Sequence, residues 1–153
     1  MKIKGLITED LVNYKKISMT IMFPFCTWKC GMELCQNSLL AQEPIFELDT
    51  YRIIDEYVNN PITEAVVMQG LEPFDSFNDV FDFIIKFREK SNDDIVIYTG
   101  YNKDEIFNKI EKLLPYKNII VKFGRYIPNK EKHFDNVLGV FLASDNQYAE
   151  RIC

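Results

Sequence analysis

Three thiols within ten residues, Cys26, Cys30 and Cys35, are the part of this sequence best equipped for chemistry. They lie in the stretch M-F-P-F-C-T-W-K-C-G-M-E-L-C-Q-N, residues 22–37. Thiolates are soft ligands, and three on one loop suit zinc, copper(I) or an iron–sulfur cluster. A structural zinc site wants four closed ligands, commonly in paired spacings such as C-x2-C. Here the spacing is C-x3-C-x4-C, and the remaining cysteine and the lone histidine, Cys153 and His133, stand far along the chain. Neither is expected to be a ligand. A four-iron cluster held by three cysteines would leave one iron open to a substrate or cofactor. The bland alternative is ordinary burial of small side chains, which suits two neighbouring cysteines better than three on one loop. Lys29 beside Cys30 is expected to favour the thiolate there.

Size and composition narrow the classes. A chain of 153 residues with a formal net charge of −5 is most simply one domain, 1–153, able to bury about two-thirds of its unfolded surface. A binder of nucleic-acid backbones would carry a basic stripe, and none is present, so no nucleic-acid partner is expected. The first residues, M-K-I-K-G-L-I-T-E-D, contain no apolar core of a signal peptide. Apolar runs such as Ile21–Phe25 fall far short of the ~20 residues that span a bilayer. A cytoplasmic protein without a membrane partner is the expectation, and reduced thiols there point to metal chemistry rather than disulfides.

The elements that must position the thiols can be read in order. Lys2–Ile7 and Lys16–Phe23 read as strands, the second stopped by Pro24, which cannot donate to a ladder. Glu33–Ala41 is expected to form a short helix. Asp49 or Thr50 caps a helix running to Asn60-Pro61, and Glu64–Gln69 suits a strand buried on both faces. Ser76–Lys90 reads as a helix with Phe77, Val80, Phe81, Ile84 and Ile85 on its apolar face and Ser76 and Asp79 at capping-box spacing. Then come a strand at 95–98, a helix capped by Asn102, strands at 118–123 and 137–142, and a short helix at 145–152. The alternation predicts an α/β fold of repeated βα units, with a mainly parallel sheet, open or curled into a partial (β/α) barrel. Ligands bind such sheets where strand carboxyl ends meet the following loops, so the cysteine loop, Gly70–Pro73, Thr99–Tyr101, Gly124-Arg125 and Ala143–Gln147 should converge.

These loops also carry a resemblance. Cys26-Thr27-Trp28-Lys29-Cys30 with Cys35-Gln36-Asn37 resembles the cluster loop of radical S-adenosylmethionine (SAM) proteins, and more narrowly of the activating proteins of anaerobic ribonucleoside-triphosphate reductases. Gly70-Leu71-Glu72-Pro73-Phe74 is similar to the family's G-G-[DE]-P-L turn, and Asp94–Tyr101 to its strand and W/Y-T-G-Y loop. Gly124-Arg125-Tyr126 resembles its D-G-[KR]-F segment, and Ser144–Gln147 its S-S-N-Q. The matches keep their order across residues 15 to 150. The resemblance implies a radical-SAM-like partial barrel in which Cys26, Cys30 and Cys35 hold a [4Fe-4S] cluster whose open iron chelates SAM. It further implies an external electron donor such as flavodoxin or ferredoxin, and a glycyl-radical reductase subunit as partner. Leu34, Asn37, Gly70, Leu71, Glu72, Tyr98 and Thr99 fall at the positions that would contact SAM.

The departures are specific. The family's usual cysteine spacing is C-x3-C-x2-C, so this loop is longer by two residues. Leu34 stands where an aromatic residue is common, Leu71 replaces the second glycine of the turn, and Phe123 replaces the activases' Asp. They keep two alternatives open: a small iron–sulfur or zinc-binding module without SAM chemistry, and a radical-SAM enzyme acting on a small molecule. Each contact residue also has a plainer role. Glu72 and Asn37 could be caps, Tyr98, Thr99 and Tyr101 could be strand-end packing, and Trp28 is expected in the core.

Overall fold

The computed structural model describes residues 1–153 and is organised around a six-stranded mixed sheet. In chain order its elements are β1 (Lys2–Ile3), β2 (Gly5–Asp10), β3 (Ser18–Phe23), β4 (Phe46–Glu47), α1 (Thr50–Asn59), β5 (Ala65–Gly70), α2 (Phe77–Arg88), β6 (Asp94–Tyr98), α3 (Phe107–Leu113), β7 (Ile119–Phe123), β8 (His133–Asp135), β9 (Val140–Leu142) and β10 (Tyr148–Arg151). The sheet order is β10-β7-β6-β5-β3-β2. Its four inner strands are parallel and its two edge strands antiparallel. The sheet does not close into a barrel, and no helix is long and apolar enough to cross a membrane.

Strand alternation decides what each face meets. Val66 and Met68 of β5 join the large core with Ile53, Ile54 and Tyr57 of α1, Phe83 and Phe87 of α2, and Ile110 and Leu113 of α3. Ala65 and Val67 point the other way, into a smaller cluster with Val96, Ile120, Tyr14, Leu138 and Leu142. All three helices therefore cover one face, and loops cover the other. The inner strands are sandwiched, which is why they read as continuous apolar runs.

Four local readings are corrected. Residues 145–152 do not form a helix: Tyr148–Arg151 is β10, paired with β7 from Tyr148↔Phe123 to Arg151↔Ile120. The outer edge of β7 offers unpaired backbone groups that a strand satisfies and a helix would not. Glu33–Ala41 forms two short 3-10 turns, Met32–Leu34 and Ser38–Gln42, with no buried residue, since their apolar side chains meet no core. Of residues 137–142 only Val140–Leu142 is extended, and it pairs with β8 as a separate hairpin. The expected capping box at Ser76 is absent: its Oγ is buried without a partner, while Glu72 caps the preceding 3-10 turn. The capping box at Asn102 and Glu105 does form. On α2 the buried stripe is Val80, Phe83, Ile84 and Phe87, with Ile85 exposed.

At the amino ends of the parallel strands, Asp94 is a buried anchor. It accepts from Lys16 Nζ at 2.7 Å, Arg151 at 2.8 Å and the Tyr14 hydroxyl at 3.0 Å, fastening β10 and the β2–β3 loop to β6. These partners hold its carboxyl below the usual range against a burial effect that raises it. Its stabilisation is therefore present above the ordinary carboxylate pKa and lost as pH falls through the depressed one. Asp94→Ala should lower unfolding free energy at pH 7 by about 2 kcal/mol in urea denaturation, with a smaller deficit in acid.

Candidate metal centre

The carboxyl ends of β3, β5, β6 and β7 finish side by side, and the segments that follow them line one cleft of about 340 Å³. Cys26, Cys30, Leu34, Cys35 and Asn37 come from the segment after β3. Gly70, Leu71 and Glu72 come from the end of β5, Tyr98 and Thr99 from the end of β6, and Arg125 from the loop after β7. All ten residues singled out as metal or cofactor positions are thus brought together.

Pro24 ends β3, and the chain turns through Trp28, φ 55°, and Gly31, φ 84°, closing with Gly31 N–H on the Trp28 carbonyl at 2.9 Å. Two thiols accept backbone N–H groups: Cys26 Sγ from Trp28 at 3.2 Å, and Cys35 Sγ from Asn37 at 3.4 Å. Burial pushes the Cys26 thiol up to about 11, opposed by the Trp28 N–H. Cys30 is raised by burial and by Cys35, and the nearby positive charge that opposes this is Arg125. Lys29, expected to play that part, instead reaches Glu105 at 3.7 Å and lies over the Tyr101 ring at 4.8 Å. A soft metal centre must displace these thiol protons, so its uptake releases acid.

No three His, Cys, Asp or Glu side chains converge closely enough to hold a single metal ion. A mononuclear zinc site would need its thiolates about 2.3 Å from one centre. In a four-iron cluster each thiolate binds a different iron, so the ligands stand farther apart. Three thiols lining one open cleft, with no fourth beside them, match a cluster held at three of its irons. Cys153 lies at the other end of the sheet, its Sγ donating to the Tyr116 carbonyl at 2.6 Å. His133 sits in β8 with Nδ1 buried and unpaired. Neither lines the cleft.

The first half of the cysteine loop is tied down from below. Asp75 accepts from the Thr27 N–H at 2.7 Å and from the Tyr101 hydroxyl at 2.7 Å, and that hydroxyl also meets Thr27 Oγ1 at 3.0 Å. The second half is hooked by Asn37, whose Nδ2 donates to the Gly70 carbonyl at 2.9 Å. Glu72 ties the next two loops together, accepting from Phe74 N at 3.0 Å, Thr99 Oγ1 at 2.8 Å and Gly100 N at 2.9 Å. It is only 4% exposed, and desolvation raises its carboxyl to about 7 despite those donors.

Several of these residues also hold the fold together. At Gly70 a Cβ would meet Phe23 N at 2.7 Å, so the β3–β5 pairing itself demands glycine there. The Tyr98 hydroxyl is committed to the Asn13 carbonyl at 2.6 Å, pinning the β2–β3 loop over the sheet. Trp28 is half-buried on a shallow outer groove with Pro24, Phe25 and Met32, outside the core. Sequence reasoning passed over Lys122, which is 7% exposed, lines the cleft and donates to the Gly124 carbonyl at 2.9 Å. Burial lowers its ammonium to about 8. The signal was available: a lysine inside the apolar run I-I-V-K-F, on the same side as Ile120.

The family described as "4Fe-4S single cluster domain" matches residues 17–148, most of the chain and all three cysteines of the loop. No curated protein and no solved structure matches the sequence. The donor set and the family thus agree on the kind of centre.

Glu72 supplies a test of the cleft's electrostatics. Its folded pKa of about 7 lies above the ordinary 4.5, so the folded state keeps a proton that the unfolded state has released between those values. Stability should fall as pH rises across that window, by about 3 kcal/mol in all from this group. Urea midpoints measured from pH 4.5 to 7.5 should show the fall in the native protein and not in Glu72→Gln.

Proposed function

Because the chain belongs to the 4Fe-4S single-cluster-domain family, we propose that it is a radical-SAM protein that reductively cleaves SAM to install a glycyl radical on an anaerobic ribonucleotide reductase. One observation carries this reading: the three cysteines, the Gly70–Glu72 turn and the Tyr98-Thr99 strand end line a single cleft with no fourth protein thiol. Cys26, Cys30 and Cys35 would hold the cluster, and a cluster with three protein ligands presents one iron to a chelating ligand. When bound, the cluster supplies one electron to the SAM sulfonium, giving methionine and a 5′-deoxyadenosyl radical.

The chain's own residues bind and orient. The cleft's volume lies in the range of small-molecule sites, and its wall mixes apolar side chains with a few polar groups. Glu72, buried and backed by Thr99 and Gly100, is placed to meet a cationic amino group with the lone pairs its donors leave free. Leu34 and Leu71 would supply apolar contact where the resembling proteins have an aromatic residue and a glycine. The parallel strands run β3, β5, β6, β7 without reversal, with all helices on one face, a winding that supports a partial radical-SAM barrel. The cleft is open, and exposed Phe25, Met32 and Leu39 flank the cysteine loop, which suits a macromolecular radical acceptor better than an enclosed small one. Reducing equivalents would come from a flavodoxin or ferredoxin.

Anaerobic reconstitution with iron and sulfide, followed by SAM and dithionite, should yield 5′-deoxyadenosine and methionine in equal amounts. Alanine at Cys26, Cys30 or Cys35 should reduce the yield at least ~100-fold, a loss expected when cluster ligation fails. A loaded native cluster that leaves SAM intact would favour an iron–sulfur module without SAM chemistry. Stoichiometric zinc without labile sulfide would overturn both.

A further inference from the structure

Beside the cysteine loop, Arg125 is held in a position that the binding and orienting roles above do not use. Its Nη2 donates to Glu105 Oε1 at 2.7 Å, and Glu105 Oε2 is fixed in turn by the Asn102 N–H at 2.9 Å. Glu105 responds with a carboxyl lowered to about 2, mainly through Arg125. Two cations gather at Tyr101 and share the Glu105 carboxylate, with Lys29 Nζ 4.8 Å from the ring centroid and the Arg125 guanidinium carbon at 5.7 Å. Arg125, Cys26 and Cys30 line the same small recess, with Tyr101 and Gly100 forming part of its wall. An exposed arginine would swing freely and be screened by solvent. This one is clamped by a carboxylate and an aromatic face, with its side chain 24% exposed.

We propose that Arg125 is a positioning residue that sets the reduction potential of the cluster, its clamped guanidinium stabilising the negative charge that the centre gains on reduction. The step is one electron taken from an external reductant, with no proton transferred and no bond made or broken. Three thiolates (−3) and a cluster core of +2 give an overall charge of −1, which becomes −2 when the core falls to +1. A fixed cation nearby stabilises the second state more than the first, and nearby charge is among the protein's levers on such potentials. Glu105 acts through Arg125, and Lys29 shares the clamp on Tyr101. The inference rests on the three-cysteine centre and not on SAM cleavage.

The test is an anaerobic redox titration of the reconstituted full-length protein, followed by the electron paramagnetic resonance of the reduced cluster and run without SAM. Arg125→Met should load iron and sulfide normally and shift the potential negative. At a fixed ambient potential its ratio of reduced to oxidised cluster should fall about tenfold, or about 59 mV for a one-electron couple. Arg125→Lys, which keeps the charge and loses the fork, should stay close to the native value. Arg125→Gln is the second neutral variant and should follow Arg125→Met. Equal potentials in native and neutral variants would overturn the proposal. So would failure of both neutral variants to take up a cluster while Arg125→Lys loads fully, since that assigns Arg125 to assembly. Because SAM is omitted, a shift stands whether or not SAM is cleaved, and cleavage is judged in its own assay.

Discussion

Gly70 backs onto Phe23 so closely that a Cβ would stand 2.7 Å from the Phe23 nitrogen and 2.9 Å from its carbonyl oxygen, and its φ of +107° belongs to glycine. That contact lets β3 and β5 end flush, in register at Phe23↔Gly70. The consequences spread from there. Leu71 N–H meets the Phe23 carbonyl at 3.2 Å and Glu72 N–H the Phe25 carbonyl at 2.9 Å, so the loop after β5 runs beside the start of the cysteine loop. Asn37 then closes the far end of that loop onto Gly70 itself. One missing side chain therefore fixes where the thiols leave the sheet and where they return.

The cleft concentrates costs that a purely structural sheet edge would avoid. Glu72 and Lys122 are both buried there, and desolvation opposes the charged form of each. Replacing such groups by apolar residues is often neutral or stabilising, so their presence needs a reason beyond holding the fold. Recognition of a polar, charged small molecule is such a reason. The segment 31–49 makes a related point: it buries no residue, while exposing Met32, Leu34, Leu39, Ile45 and Phe46. Its packing is incomplete within this chain, whereas the Cys26–Cys30 half is tied to Asp75 and Tyr101. Ligation through Cys35 would fasten the looser half to the tighter one.

Much of this was legible in the sequence, for physical reasons that differ by element. The inner strands announced themselves as apolar runs because both faces are covered, and from their alternation with helices followed the convergence of the loops. The thiols were visible from spacing alone. What failed was local sequence whose conformation is decided at a distance. Tyr148–Arg151 is extended because β7 had a free edge, and nothing within 145–152 encodes that neighbour. Ser76 and Asp79 had capping-box spacing, yet Glu72 reached the turn first. Lys29 was adjacent to Cys30 in sequence, but the charge acting on that thiol comes from Arg125, brought in by β7. The demand for glycine at position 70 was likewise hidden, since only the register of β3 against β5 reveals that Phe23 presses on it.

The central claim is that three cysteines hold a cluster whose fourth iron faces the cleft. A Mössbauer spectrum of the reconstituted protein, recorded before and after SAM is added, tests it most directly. The account predicts that one iron site of the four changes its isomer shift on SAM addition while the other three stay as they were. A spectrum that SAM leaves unchanged, with all four sites alike, would contradict it.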